Sequence, residues 1–421
     1  MRYLLILLLL VGCGTKTVEK IVEVEKIVEV IVEVESTELN LSTEYIDQST
    51  YWCIPQLYGE NKDTPKYCAA GTYTNKHIPL AFKANDDVYH VYTDNTKDDN
   101  FYVYAAKNND EKVLVHTIEN WNDPHTNAVI HVLDSGIVHV HIASRGLAHK
   151  FQSGKILASK TPYELDFECI DGCENINIEA YPQVWQTSWG EHVGYTNYLI
   201  DTRIHATRNI RTLWYRVDKE VKQLVEGGHY SISYYDGEFL YLAYNQLVNG
   251  KPDNRINLYV IKTNDGANWT NIDGKTLDLP LLTHNEDAMV YESDGYIYLK
   301  DITVDDGLKI LVTESTDYDP TIGTRTVKEW SVDGVRDITE TNHNYNAGAY
   351  VGGNILVTQD GIKGWTGGDI VLYENYIETA RDNSSNCNYI RKVINSDDKA
   401  VVSCDNFHLN QSASHYILTI D

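Results

Sequence analysis

The chain has 421 residues, 42% of them hydrophobic and 23% charged, with a formal net charge of −26 at pH 7. That length can bury a large core, and the negative balance argues against a nucleic-acid partner, which needs a basic face. Any polyanionic ligand must therefore meet a local basic patch rather than the surface at large.

Residues 1–12 read as a secretory signal. Arg2 supplies the positive start, and the apolar run from Leu4 to Val11 is too short to span a bilayer. The run ends in Leu10-Val11-Gly12-Cys13, which resembles the lipobox of bacterial lipoproteins. That resemblance implies lipidation at Cys13, a membrane anchor and a location outside the cytoplasm. Residues 13–44 carry Val18-Glu-Lys-Ile-Val-Glu, repeated from Val24 and then degraded. A six-residue period matches neither the heptad nor 3.6, so the stretch reads as a charged tether.

Of seven cysteines, six remain once Cys13 is set aside. They fall in local pairs: Cys53 with Cys68, Cys169 with Cys173, and Cys387 with Cys404. An even remainder in an exported chain reads as disulfides, local pairing being one of about 15 connectivities. The spacings do not fit a zinc site built from CxxC pairs.

From residue 45 to 421 long helical patterns are scarce. Alternating or β-rich runs such as Ile137-Val-His-Val-His and Tyr296-Ile-Tyr-Leu are separated by turn signals. Seven of these signals are spaced by 46 to 58 residues: Asp86-Asp87, Ser135-Gly136, Trp189-Gly190, Asp236-Gly237, Asp294-Gly295, Gly352-Gly353 and Asp397-Asp398. A strand-built repeat of that length predicts an all-β fold, a seven-bladed propeller of four-stranded antiparallel blades.

A His or Tyr stands 8 to 11 residues before each turn: His77, His125, Tyr181, His229, His284, His343 and Tyr389. If each opens the innermost strand of its blade, the seven face one funnel at the channel mouth. Tyr230 and Tyr345, beside His229 and His343, join them as candidate ligand contacts. Arg203, Arg208, Arg211 and Arg216 form the densest arginine group of the chain. They read either as a ligand-facing strand or as a solvated blade edge.

Several segments resemble the BNR-repeat, sialidase-like propeller family, including its branch near the ulvan lyases. They are His125-Thr-Asn with Asp134-Ser-Gly, Ala180-Tyr181-Pro182-Gln183, Gly227-Gly228-His229-Tyr230, Asn342-His343-Asn344-Tyr345 and Asn388-Tyr389-Ile390-Arg391. Thr263-Asn-Asp265-Gly266-Ala-Asn-Trp269 resembles a shortened Asp box, a structural hairpin marker. The resemblance implies a catalytic histidine at His125 and a catalytic tyrosine at Tyr181. The family's second histidine falls at Arg145 and its arginine at Asn197, so two of four positions are kept.

Eliminative cleavage of a uronate needs a neutralised carboxylate, a base for its α-proton and an acid for the leaving oxygen. Neutral His suits the base, Tyr the acid and Arg the carboxylate. These roles fall to His125, Tyr181 and Arg145. The expected partner is an extracellular, anionic polysaccharide. Two other readings stay open: a sialidase-like glycoside hydrolase and a non-catalytic glycan-binding propeller. No cofactor or metal ligand set is predicted. His139 and His141 share a strand face, but two ligands alone leave a structural metal ion undecided.

Overall fold

The computed structural model describes residues 41–50, 52–54, 67–69, 76–94, 100–119, 127–143, 154–170, 180–200, 209–217, 220–248, 254–317, 324–342, 348–359, 368–404 and 413–420. All belong to the unit Asn40–Asp421. The signal, Cys13 and most of the tether lie outside them.

The described residues form seven antiparallel blades of four strands, with no α-helix among them. The inner strands, in blade order, are Ala81–Ala84, Ala128–Val132, Ala180–Thr187, Gly228–Tyr235, Tyr296–Thr303, Ala349–Val351 and the last part of Ile377–Lys392. That last strand is shared. Its first part pairs with Gly368–Glu374 as the outer edge of the sixth blade, and its end pairs with Lys399–Cys404 to open the seventh.

The ring closes on itself. Leu41–Thr50, from the start of the unit, pairs antiparallel with Ala413–Ile420 and completes the seventh blade. This pairing covers the edge of Ala413–Ile420 and ties the start of the unit to its last blade. The strand includes residues 41–44, which the sequence assigns to the tether. An unpaired edge on the final strand offers hydrogen bonds that a charged but alternating segment can take.

Cores lie between neighbouring blades. Val138, Val140, Ile142 and Leu157 of the second blade pack with Val88, Val91 and Val103 of the first. Leu213 and Tyr215 of the third pack with Leu240, Leu242 and Tyr244 of the fourth and Ile297 and Leu299 of the fifth. Each such aliphatic side chain stabilises by about 1.5–3 kcal/mol. Inner strands are buried on both faces, as the pattern of Ala128–Val132 shows, so they read as apolar runs rather than alternating ones.

The repeat fails in one place. In the fifth blade the inner strand is Tyr296–Thr303 and its hairpin turns through Asp306-Gly307. Asp294-Gly295 instead joins the outer strand of the fourth blade, Met289–Tyr291, to that inner strand. The cause is an insertion after Arg255–Thr263. It carries the Asp265 turn and the short strand Leu281–Leu282, which pairs parallel with the third blade. Asp265 accepts from the backbone of Ala267 and Asn268, and Trp269 behind it is buried, so this turn is structural.

Glycine is required at the sixth turn. Gly352 has φ +57°, and a Cβ there would meet the Asp397 carbonyl at 2.0 Å. The sixth and seventh hairpins therefore touch through backbone.

Cys387 and Cys404 form a disulfide between paired strands. Cys53 stands opposite Cys68 in the small hairpin of Trp52–Ile54 and Tyr67–Ala69. Cys169 is disulfide-bonded, and Cys173 lies outside the described residues.

Candidate functional site in the central channel

Three inner strands begin with the same irregularity. Between Ala180 and Gln183, His229 and Ser231, and Asn388 and Arg391, the pairing with the second strand slips by one residue. Within these bulges Tyr181, Tyr230 and Tyr389 take φ values of 56°, 61° and 57°. A bulky residue rarely adopts the left-handed region, and a bulge re-aims its side chain. One device used in three blades sends three tyrosines toward the axis.

The rings meet there. The His77 and Tyr181 rings lie 5.4 Å apart edge to face, Tyr181 and Tyr230 5.1 Å, and Tyr230 and Tyr298 5.5 Å. The Tyr181 hydroxyl donates to that of Tyr230 at 3.3 Å. Tyr298 stands nine residues before Gly307, the place in the fifth blade that the sequence gives to His284.

Cations surround the tyrosines. The Lys76 ammonium lies 4.5 Å from the Tyr298 ring centre, Lys300 4.1 Å and the Arg255 guanidinium 4.3 Å. Lys76 also donates to the Leu299 carbonyl at 2.6 Å, joining the segment before the first blade to the fifth. Arg325 and Arg391 complete the group, and all five are buried. Burial first, then Lys300, Arg391 and Arg255, push Lys76 well below the usual lysine range. Burial, Arg325, Arg255 and Arg391 do the same to Lys300. Asp301 offsets part of this charge for Lys76 and Arg391. It accepts from the Tyr350 amide at 2.8 Å, and the Lys392 ammonium lies 3.7 Å away.

Burial, countered in part by Arg391, raises Tyr389 well above the usual phenol range. It is therefore a neutral donor at physiological pH. His77, Lys300, Asp301, Arg391 and Lys392 line a pocket of about 340 Å³, counting its open mouth. Chemically, the channel attracts anions, offers aromatic faces and supplies phenol protons.

Of the residues singled out from sequence, His77, Tyr181, Tyr230 and Tyr389 lie on or beside inner strands, and the first three share one cluster. His229 lies on its inner strand, but its side chain is outside the described set, as is that of Asn197. His125, Arg145, Arg203, Arg208, His343 and Tyr345 also lie outside the described residues.

His284 does not open an inner strand. It is exposed, between Leu281–Leu282 and the short 3-10 helix Glu286–Ala288, because the insertion displaces the fifth turn. Arg211 is buried on the third strand of its blade, opposite Tyr198. Arg216 lies on the same strand, 3.8 Å from Glu191. Sequence reasoning passed over Lys76, Arg255, Tyr298, Lys300 and Arg325. Only Arg391 stood in a motif it used.

No family model matches this chain, and no curated protein does. Solved structures do. One, described as a new family of polysaccharide lyase, PL25 ulvan lyase, shares 13% identity at a TM-score of 0.61, covering 90% of this chain and 96% of that one. A second, of the same description and bound to -[GlcA(1-4)Rha3S]-, aligns with the same values. A protein of unknown function from Dyadobacter fermentans aligns over 91% of this chain and 100% of its own, at 10% identity and a TM-score of 0.43. At such identities the likeness to the two lyase structures concerns the fold, which this chain shares over nine-tenths of its length.

Proposed function

We propose that this protein is a carbohydrate-active propeller that binds an anionic, uronate-containing polysaccharide in its central channel and cleaves it by β-elimination. The observation that carries the reading is the convergence of Tyr181, Tyr230 and Tyr298 with Lys76, Arg255, Lys300 and Arg391 in a chain of charge −26. Buried positive charge beside aromatic faces fits a sugar bearing carboxylate or sulfate. The fold neighbour with a glucuronate- and sulfate-bearing ligand supports the same class.

In the proposed reaction a base takes the proton α to the uronate carboxylate, the electron pair forms the new double bond, and the glycosidic oxygen leaves with a proton from an acid. Tyr181 is the acid. From the sequence, His125 is the base and Arg145 faces the carboxylate. Arg391 and Lys300 hold further anionic groups of the chain. Cys13, lipidated, tethers the propeller outside the cytoplasm, and Cys13→Ser releases it from membranes.

The test is a screen of the soluble propeller against uronate polysaccharides, followed by ultraviolet absorbance of the unsaturated product. Absorbance that grows with enzyme supports the reading. New reducing ends without it indicate a hydrolase, and binding with neither product indicates a glycan-binding module.

A further inference from the structure

A second group of side chains lies away from the tyrosine cluster. His131, on the inner strand of the second blade, stands directly opposite His139 on the next strand, and His141 follows on the same face. Glu191 reaches this face from the third blade, just past its hairpin turn. It sits opposite Gln186, five residues along the inner strand from Tyr181, or roughly 17 Å. The four donor groups therefore stand near the far end of the inner strands from Tyr181.

The geometry is that of a ligand set. One donor atom from each of the four lies within 4.8 Å of the others. The Glu191 Oε2 atom is 2.7 Å from His139 Nδ1, 3.4 Å from His141 Nε2 and 3.9 Å from His131 Nδ1. Ligands bound tetrahedrally at about 2.0–2.2 Å stand roughly 3.3–3.6 Å apart, so these distances straddle the required value. The imidazoles surround one point, with ring centres 5.7, 6.2 and 6.0 Å apart.

Burial supplies an independent reason. His131 and His141 are 1% and 0% exposed. Among the described residues, neither ring nitrogen of His131 has a hydrogen-bond partner, and His141 has none of good geometry. A buried, unsatisfied imidazole nitrogen costs about 1–3 kcal/mol. Packing alone does not account for two such rings aimed at one carboxylate. A metal ion at this point would bind their lone pairs and take the carboxylate as its anionic ligand, while Arg216 stands 3.8 Å from the other Glu191 oxygen.

We propose that His131, His139, His141 and Glu191 form a closed tetrahedral site for a divalent transition-metal cation, zinc in particular, that clips the second blade to the third. Three nitrogens and one oxygen suit zinc, and four protein ligands leave no open position for a water. The site is structural, and it is separate from the channel chemistry.

The test uses the full chain, produced with zinc present and purified without chelator. Metal analysis is expected to find about one zinc per chain. Glu191→Gln, which keeps the side-chain shape, and His141→Ala should each lose it. Chelator should lower the Tm of the wild-type protein, and added zinc should restore it. Cobalt(II) added to the stripped protein should give the intense visible bands of tetrahedral coordination, weakened in Glu191→Gln. If His141→Ala does not fold, Glu191→Gln and the cobalt spectrum decide the matter. Wild-type protein without bound metal, whose Tm and spectrum ignore added zinc and cobalt, overturns the proposal. So does metal retained in full by Glu191→Gln and His141→Ala.

Discussion

The Tyr181 hydroxyl donates to the Tyr230 hydroxyl across 3.3 Å, joining the third and fourth blades where their inner strands begin. Both residues sit in left-handed bulges, so backbone as well as side chain fixes the pair. If Tyr181 delivers the proton to the leaving oxygen, Tyr181→Phe should lower turnover by about 10²–10⁴-fold while leaving polysaccharide affinity within a few-fold. Tyr230→Phe, which removes only the partner, should cost far less. Steady-state kinetics beside equilibrium binding separates the two effects.

The cation group should govern affinity. Lys300→Met removes one buried charge from a site already crowded with Arg325, Arg255 and Arg391. Binding of an anionic polysaccharide should weaken by roughly tenfold, about 1.4 kcal/mol. Its dependence on salt should flatten. Folding stability should hold or rise, because an apolar side chain of similar volume relieves like-charge repulsion. Titrations at several ionic strengths, with a thermal melt of each variant, check both statements.

Alkaline stability should respond to Tyr244. Its hydroxyl is buried with no hydrogen-bond partner among the described residues, and its ring stacks on that of Tyr259, with ring centres 5.0 Å apart. Burial, then the neighbouring Tyr259, raise its pKa well above the usual phenol value. Above about pH 10 the unfolded chain releases this proton and the folded chain keeps it, so stability falls as pH rises. Tyr244→Phe should be neutral or stabilising by up to about 1 kcal/mol at pH 7. It should also shallow the loss of stability above pH 10. Urea unfolding from pH 7 to 11 reads both.

The Cys387–Cys404 bond closes a loop with a sequence separation of 17 between paired strands of the seventh blade. Replacing both cysteines with serine should cost about 3 kcal/mol of stability. Denaturant unfolding of the double variant, beside wild-type protein under reducing and non-reducing conditions, checks the value. The closing blade should be the first to gain amide exchange.

Much of the fold is legible in the sequence, because a propeller repeats its turns. Six of the seven turn signals mark inner hairpins. The seventh, Asp294-Gly295, belongs to a connection between blades, since the insertion after Thr263 moved the true turn to Asp306-Gly307. That slip put His284 in place of Tyr298. The site was less legible for two physical reasons. A β-bulge is a property of strand pairing, so nothing in Gly228-His229-Tyr230 says that Tyr230 enters the left-handed region. The cations come from positions 76, 255, 300, 325 and 391, and only folding gathers them. The arginine group at 203–216 is dense in sequence, yet its described members, Arg211 and Arg216, stand on a third strand. His139 and His141 were visible as a pair, whereas Glu191, fifty residues on, closes the set only across a blade boundary.

The most direct measurement of the central claim is the ultraviolet absorbance of a glucuronate-bearing sulfated polysaccharide incubated with the soluble propeller and, in parallel, with its Tyr181→Phe variant. The account predicts a steady rise with wild-type protein, matched mole for mole by new chain ends. Tyr181→Phe should show little or no rise, though it still binds the polymer. Chain ends without absorbance, or equal rates from the two proteins, would contradict it.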